Sequence, residues 1–157
     1  MAGVQMEITV DGDEVRRAVS RLLRRSLSLK EPFEDIGASL ETSTQQRFED
    51  EEDPEGNPWP DLSEPYQDSF YKGKPRGPDH ILRRSAILYQ SLTYLANDTR
   101  LAVGPGAGKD YAAIHQFGGT ADMPAGPAAI PARAYLGISA DDRREIGEIL
   151  ADHLQEP

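Results

Sequence analysis

Residues alternate between apolar and polar from Gln5 to Val10, with Met6, Ile8 and Val10 on one side and Gln5, Glu7 and Thr9 on the other. That is the pattern of a half-buried strand. Asp11-Gly12-Asp13 then turns the chain and offers a carboxylate to the free N–H groups of a following helix. From Glu14 to about Leu29 the period becomes helical. Val15, Val19, Leu22, Leu23 and Leu27 form one stripe, while Arg17, Arg21, Arg24 and Arg25 gather on another face. Pro32 suits the first turn of a second helix, where its missing N–H costs nothing. Phe33, Ile36, Leu40, Thr44 and Phe48 recur at spacings of three and four, which takes this helix to about Phe48 and packs it on the first. The acidic run Glu49 to Asp53 opposes the helix dipole and predicts fraying.

The segment 54–78 is rich in proline and glycine and is expected to be loose. Within it Trp59, the only tryptophan, stands between Pro58 and Pro60 and is expected to plug the loop onto the core. Ile81 to Tyr89 reads as a short helix or turn. Ser91 to Ala96 alternates with Leu92, Tyr94 and Ala96 on one side, Asn97-Asp98 turns the chain, and Arg100 to Val103 returns as the second strand of a hairpin. Asp110 is placed to cap a short helix, Tyr111 to Phe117, which Gly118-Gly119 closes in conformations that glycine adopts cheaply. Thr120 to Ala129, made almost wholly of small residues, proline and glycine, predicts a mobile loop. Pro131 to Ile138 reads as a strand with proline at its start. Ser139-Ala-Asp-Asp142 has the form of a capping box. It opens a last helix to about Leu154, striped by Ile146, Ile149, Leu150 and Leu154, with His153 beside the stripe. No internal repeat is visible. The pattern predicts an α+β fold, with two N-terminal helices and a C-terminal helix packed on a small, mostly antiparallel sheet. A chain of 157 residues forms a single domain, 1–157, with mobile loops at 54–78 and 120–129.

Composition narrows the function. The apolar fraction is 38% and the charged fraction 28%, a lean core that neighbouring subunits could complete. There is no cysteine, which excludes disulfides and thiolate metal sites. No apolar run approaches a membrane span, and Met1-Ala-Gly-Val-Gln-Met6 lacks the regions of a signal peptide, so a cytoplasmic site of synthesis and action is expected. The net charge of −10 argues against sequence-independent wrapping of nucleic acid. The arginine cluster of the first helix has two readings. One is an anionic partner; the other is a solvated face that meets acidic residues elsewhere in the chain.

Candidate chemistry is thin. His80, His115 and His153 are the three histidines, and none lies within reach of another in sequence as metal ligands do. A Gly-x-Ser-x-Gly elbow is absent. Gly104-Pro-Gly-Ala-Gly-Lys109 departs from a phosphate loop in count, and Asp110 stands where a magnesium-holding Ser or Thr belongs. Asp50, Asp53 and Glu55 do not follow calcium-loop spacing. His115 would need an orienting carboxylate to act as a base, and Asp110 is the near candidate in sequence. These signals predict no enzyme, no cofactor and no metal. Candidate interface residues are Trp59, Tyr111, Ile114, His115, Gln116, Phe117, Arg133 and Tyr135.

Four segments carry a resemblance. Ala112-Ala-Ile-His-Gln-Phe-Gly-Gly119, followed by Ile130-Pro-Ala-Arg-Ala-Tyr-Leu-Gly-Ile-Ser139, resembles the virion morphogenesis, or tail-completion, family of Mu-like and P2-like tailed bacteriophages. Gly56-Asn-Pro-Trp-Pro-Asp-Leu-Ser63 resembles that family's mid-chain Gly-x-x-Trp-x-x-Leu-Ser element. Ile81 to Leu92 resembles the segment before its hairpin. The order is kept over nearly the whole chain; Arg133-Ala-Tyr-Leu136 stands where the family usually has Arg-Pro-Phe-Leu. The resemblance implies a non-enzymatic structural protein of the virion neck or tail, assembled in the host cytoplasm. It also implies a homo-oligomeric ring, commonly of six, meeting the tail tube protein and the head connector or stopper proteins. A negative lumen would let DNA pass without sticking. The acidic run 49–55 supports a different reading, an acidic module that mimics nucleic acid and occupies a basic partner.

Overall fold

The computed structural model describes residues 12–68, 70–71, 73–75, 80–106 and 111–155. The strand expected at 5–10 and the cap expected at Asp110 lie outside the described residues. In chain order the elements are α1 (Gly12–Leu27), α2 (Lys30–Asp50), α3 (Glu64–Gln67), β1 (Phe70–Tyr71), β2 (Lys74–Pro75), α4 (Ile87–Gln90), β3 (Leu92–Ala96), β4 (Leu101–Pro105), α5 (Tyr111–Phe117), α6 (Ala125–Ala128) and α7 (Ala140–Gln155). The fold is α+β, as the sequence pattern predicts.

Helix α2 is the spine. Its buried positions, Pro32, Ile36, Gly37, Thr44, Arg47 and Phe48, follow the three-and-four spacing of one helical face. That face packs on the β3–β4 hairpin and on α7, and α1 joins the body through α7. The hairpin is antiparallel, with Leu92 opposite Pro105 and Ala96 opposite Leu101. Asn97 holds its turn: the side-chain oxygen accepts from the N–H groups of Thr99 and Arg100 at 3.0 and 2.9 Å. Gly37 decides how close α2 and β3 can come, because a methyl group there would run into the Tyr94 ring. The other strand pair, β1 with β2, is a two-residue hairpin.

The core is a cluster of Phe48, Trp59, Ile81, Leu88, Leu92, Ala112 and Tyr135. Phe48 is its centre, with ring centroids 5.4 Å from Trp59, 5.9 Å from Tyr89 and 5.3 Å from Tyr135. Burying a ring of this size contributes about 1.5–3 kcal/mol, and edge-on or tilted packing adds to it.

Two sequence expectations are corrected. The end of α2, expected to fray, is fastened instead. Glu51 turns left-handed at φ 57°, and its N–H caps back onto the Arg47 carbonyl. Its own carbonyl accepts from Trp59 N–H at 2.7 Å, and its side chain accepts from Ile81 N–H at 2.9 Å. Arg83 pairs with Glu49. These tertiary partners offset the unfavourable dipole contact. The second correction concerns residues 131–138, which form no strand. Side chains supply the missing ladder, as set out below.

Candidate functional site

The frame of the site is built from the end of α2, the 51–62 segment, α5 and the 131–138 segment. Trp59, expected as a plug, is buried and donates its indole N–H to the Ala134 carbonyl at 2.9 Å. Arg133 is also buried; its Nε donates to the Pro60 carbonyl and its Nη2 to the Asp61 carbonyl, both at 2.8 Å. The two segments are thereby laced side chain to backbone. Gln116 on α5 replaces a partner strand. Its Oε1 accepts from the N–H groups of Tyr135 and Leu136 at 3.0 and 2.9 Å, and its Nε2 donates to the Leu136 carbonyl at 2.9 Å. Arg133 N–H reaches the His115 carbonyl at 2.7 Å. Tyr135 donates its hydroxyl to the Ala112 carbonyl at 3.2 Å. Burial, and then the nearby Tyr111, push its phenol pKa up to about 12.

Sequence reasoning missed Arg47. It is 5% exposed, and its Nη1 donates to the carbonyls of Tyr135 and Gly137 at 3.1 and 3.0 Å. Its Nη2 donates to Ser43 Oγ and pairs with buried Asp142. Asp142 in turn closes the capping box predicted for α7, accepting from Ser139 N–H at 2.8 Å while its own N–H donates to Ser139 Oγ at 3.1 Å. Burial opposes ionisation of Asp142, but hydrogen bonds from Ser43 and Ser139 and the Arg47 charge hold its pKa below the ordinary value. The one signal for this network is positional: Arg47 follows Thr44 by three and adjoins Phe48 on the apolar face.

Beside the frame opens a cavity of about 710 Å³, within the range of ligand and peptide pockets. Its apolar wall includes Leu62, Tyr66, Leu82, Leu88, Tyr111 and Ile130, and its polar wall includes Asp61, His80, Arg84, His115 and Arg133. His115 stacks edge-on to Tyr111 at 6.0 Å. Its Nδ1 is buried without a hydrogen-bond partner among the described residues. Burial, and then the Arg133 charge, lower its pKa below 6.5, so the ring is neutral near pH 7. Leu82 and Ala86, on the turn before α4, hold left-handed backbone at φ 58° and 55°, conformations that non-glycine residues rarely adopt.

The candidate interface residues divide. Trp59, Arg133 and Tyr135 are turned inward and act as frame residues, and Arg133 also reaches the cavity wall. Ile114, His115 and Gln116 are partly buried. Tyr111 is 41% exposed and Phe117 79% exposed, and the 200° between His115 and Phe117 on a helix points the latter away from the cavity. The 120–129 loop contains the helical turn α6, and its ends are tied by Gly119 N–H to the Ile130 carbonyl at 2.8 Å. Gly119 has to be glycine, since a methyl group would strike the Pro127 carbonyl. Asp53 is occupied by its own turn, accepting from the N–H groups of Glu55 and Asn57 at 2.9 and 2.8 Å. Among the described residues no group of three or more His, Asp or Glu side chains could hold a metal ion. No helix among them is long and apolar enough to cross a membrane.

The motif set that builds this frame is that of one family: the phage virion morphogenesis family model matches residues 10–155. The chain belongs to the phage virion morphogenesis family. Among relatives, the G protein of Escherichia phage Mu, to which a capsid-assembly role is ascribed, is 38% identical over 116 residues, 71% of this chain and 70% of that protein. Mu-like prophage FluMu G protein 1 of Haemophilus influenzae is 29% identical over 147 residues, 94% of this chain and 82% of that protein. FluMu G protein 2 of the same organism is 29% identical over 153 residues, covering 97% of this chain and 96% of that protein. No solved structure matches. Membership gives this chain a structural or assembly role in building the phage particle.

Proposed function

We propose that this virion morphogenesis protein completes or terminates the phage tail and enables head–tail joining, acting as a non-enzymatic subunit of an oligomeric ring. The observation that carries this reading is the contrast between a tightly laced frame and the apolar side chains it holds outward. Phe117 is 79% exposed, Leu95 75% and Ile87 49%, surfaces that a monomer leaves wet and an assembling subunit buries. The charged neighbour that acts on His115 is Arg133, a cation, which disfavours the imidazolium that general-base chemistry would require. The partners in this reading are further copies of the chain, the tail tube protein and the head connector or stopper proteins, with DNA passing through an acidic lumen.

The test is electron microscopy of lysates from a phage with an early stop codon in this gene. Filled heads beside unjoined tails, or tails of uncontrolled length, are the expected result. Normal infectious particles would overturn the reading.

A further inference from the structure

Helix α1 joins the body of the subunit at α7. Val15, Val19 and Leu22 on its apolar stripe are each about half exposed, at 49%, 49% and 48%. Opposite them Arg17, Arg21 and Arg24 project outward, and among the described residues their side chains make no hydrogen bond or ion pair. α1 carries five arginines against Asp13 and Glu14, on a chain whose net charge is −10. With so many carboxylates in the same molecule, Arg17, Arg21 and Arg24 still meet none of them among the described residues.

A matching set stands elsewhere. Between the end of α2 and the start of α7 runs a groove of about 450 Å³ whose lining includes Asp50, Glu52, Glu55, Asp141 and Glu145. Asp141 pairs with Arg144, and Asp50 accepts from Gln46. Glu52, Glu55 and Glu145 have no cationic partner among the described residues. Ile138, half exposed, directly precedes Ser139 of the groove lining and gives its edge an apolar contact.

We propose that α1 of one subunit docks in the acidic groove between α2 and α7 of a second copy. Its arginine face meets Glu52, Glu55 and Glu145. Donor helix and acceptor groove are different surfaces of one chain, so the contact is head-to-tail, the geometry that closes rings or propagates stacks. The long arginine stems let the guanidinium groups reach groove walls while the helix body lies lower. The inference rests on the oligomeric reading above and specifies which surfaces make the contact.

The test uses two full-length variants, Arg17→Glu/Arg21→Glu/Arg24→Glu and Glu52→Lys/Glu55→Lys/Glu145→Lys, followed by sedimentation velocity at low salt. All six side chains lie outside the core, so thermal unfolding should be unchanged. Each variant alone should lose self-association, with apparent Kd raised roughly tenfold or more by like-charge contact. An equimolar mixture should recover it, because each reversed helix then meets a groove of opposite charge. Wild-type association should also weaken as salt rises.

Association of either variant at the wild-type level, or a mixture that stays dissociated while both variants are folded, would overturn the proposal. So would wild type that remains monomeric. Loss of binding to phosphatidylserine vesicles by the arginine variant, with self-association intact, would assign α1 to a membrane surface instead. The stop-codon lysates do not depend on which surfaces touch, so the tail-completion reading and this one fail separately.

Discussion

Arginines occupy two opposite settings in this molecule. Arg47 and Arg133 are each 5% exposed, and between them they bind the carbonyls of Pro60, Asp61, Tyr135 and Gly137. Arg17, Arg21 and Arg24 stand on α1 in solvent without such partners among the described residues. The planar, always-charged guanidinium serves both purposes. Buried, it ties segments distant in sequence by satisfying carbonyls that no sheet satisfies. Exposed on an acidic molecule, it is available for recognition. The difference separates what holds the subunit together from what the subunit offers to its neighbours.

The sharpest way to break that contrast is Arg47→Ala. It leaves the Asp142 charge buried without its cation and strips the donor from two carbonyls. A loss of about 3–5 kcal/mol is expected, measured by urea unfolding. Arg47→Ala/Asp142→Asn should recover part of it, since no charge is then left buried. Gln116→Ala comes next. Its amide makes three bonds to the 135–136 backbone, and their removal should cost about 2–3 kcal/mol, with faster amide exchange at Tyr135 and Leu136.

Acid should weaken the frame in two windows. The folded pKa of His115 lies below its usual 6.5, so the unfolded chain binds a proton that the folded chain refuses. Stability is therefore complete above about pH 6.5 and declines as pH falls through that value toward the lowered pKa. Asp142 is held below 3.8, so its contribution is present above that value and is lost as pH falls through its folded pKa. Denaturant unfolding at about pH 7, 5.5 and 4.5 reads the upper window, and His115→Asn should flatten it. The smallest effect belongs to the other side of the comparison. Arg17→Ala, Arg21→Ala and Arg24→Ala should each change stability by no more than about 0.5 kcal/mol, since none makes a hydrogen bond or ion pair among the described residues. A larger loss by thermal unfolding would make α1 part of the frame.

Much of the fold was legible because local chemistry repeats along the chain. The three-and-four spacing from Phe33 to Phe48 marked α2. The alternation at Leu92, Tyr94 and Ala96 with Asn97-Asp98 marked the hairpin, and Ser139 to Asp142 marked the start of α7. Trp59 between prolines was readable as a plug because a lone large aromatic in a polar loop has few other stable places. Of the site, α5 and the Arg133 segment were found, and the structure adds that Trp59, Arg133 and Tyr135 are turned inward. Aromatic and arginine residues mark both interfaces and cores, and sequence does not say which side of the surface they occupy. The strand expected at 131–138 failed for a related reason. Its place in the chain was foreseen, but the donors and acceptors that hold it come from the side chains of Gln116, Arg47 and Trp59.

The sequence by itself determined the helices, the hairpin, the acidic balance and the ordered motifs of the phage virion morphogenesis family, because each is written in neighbouring residues. Only the tertiary structure decided that Arg47 bridges α2, the 135–137 backbone and Asp142. It alone decided that the end of α2 is fastened rather than frayed, and that Arg17, Arg21 and Arg24 of α1 make no hydrogen bond or ion pair among the described residues. Those outcomes depend on groups tens of residues apart meeting within hydrogen-bond distance, which no local pattern encodes.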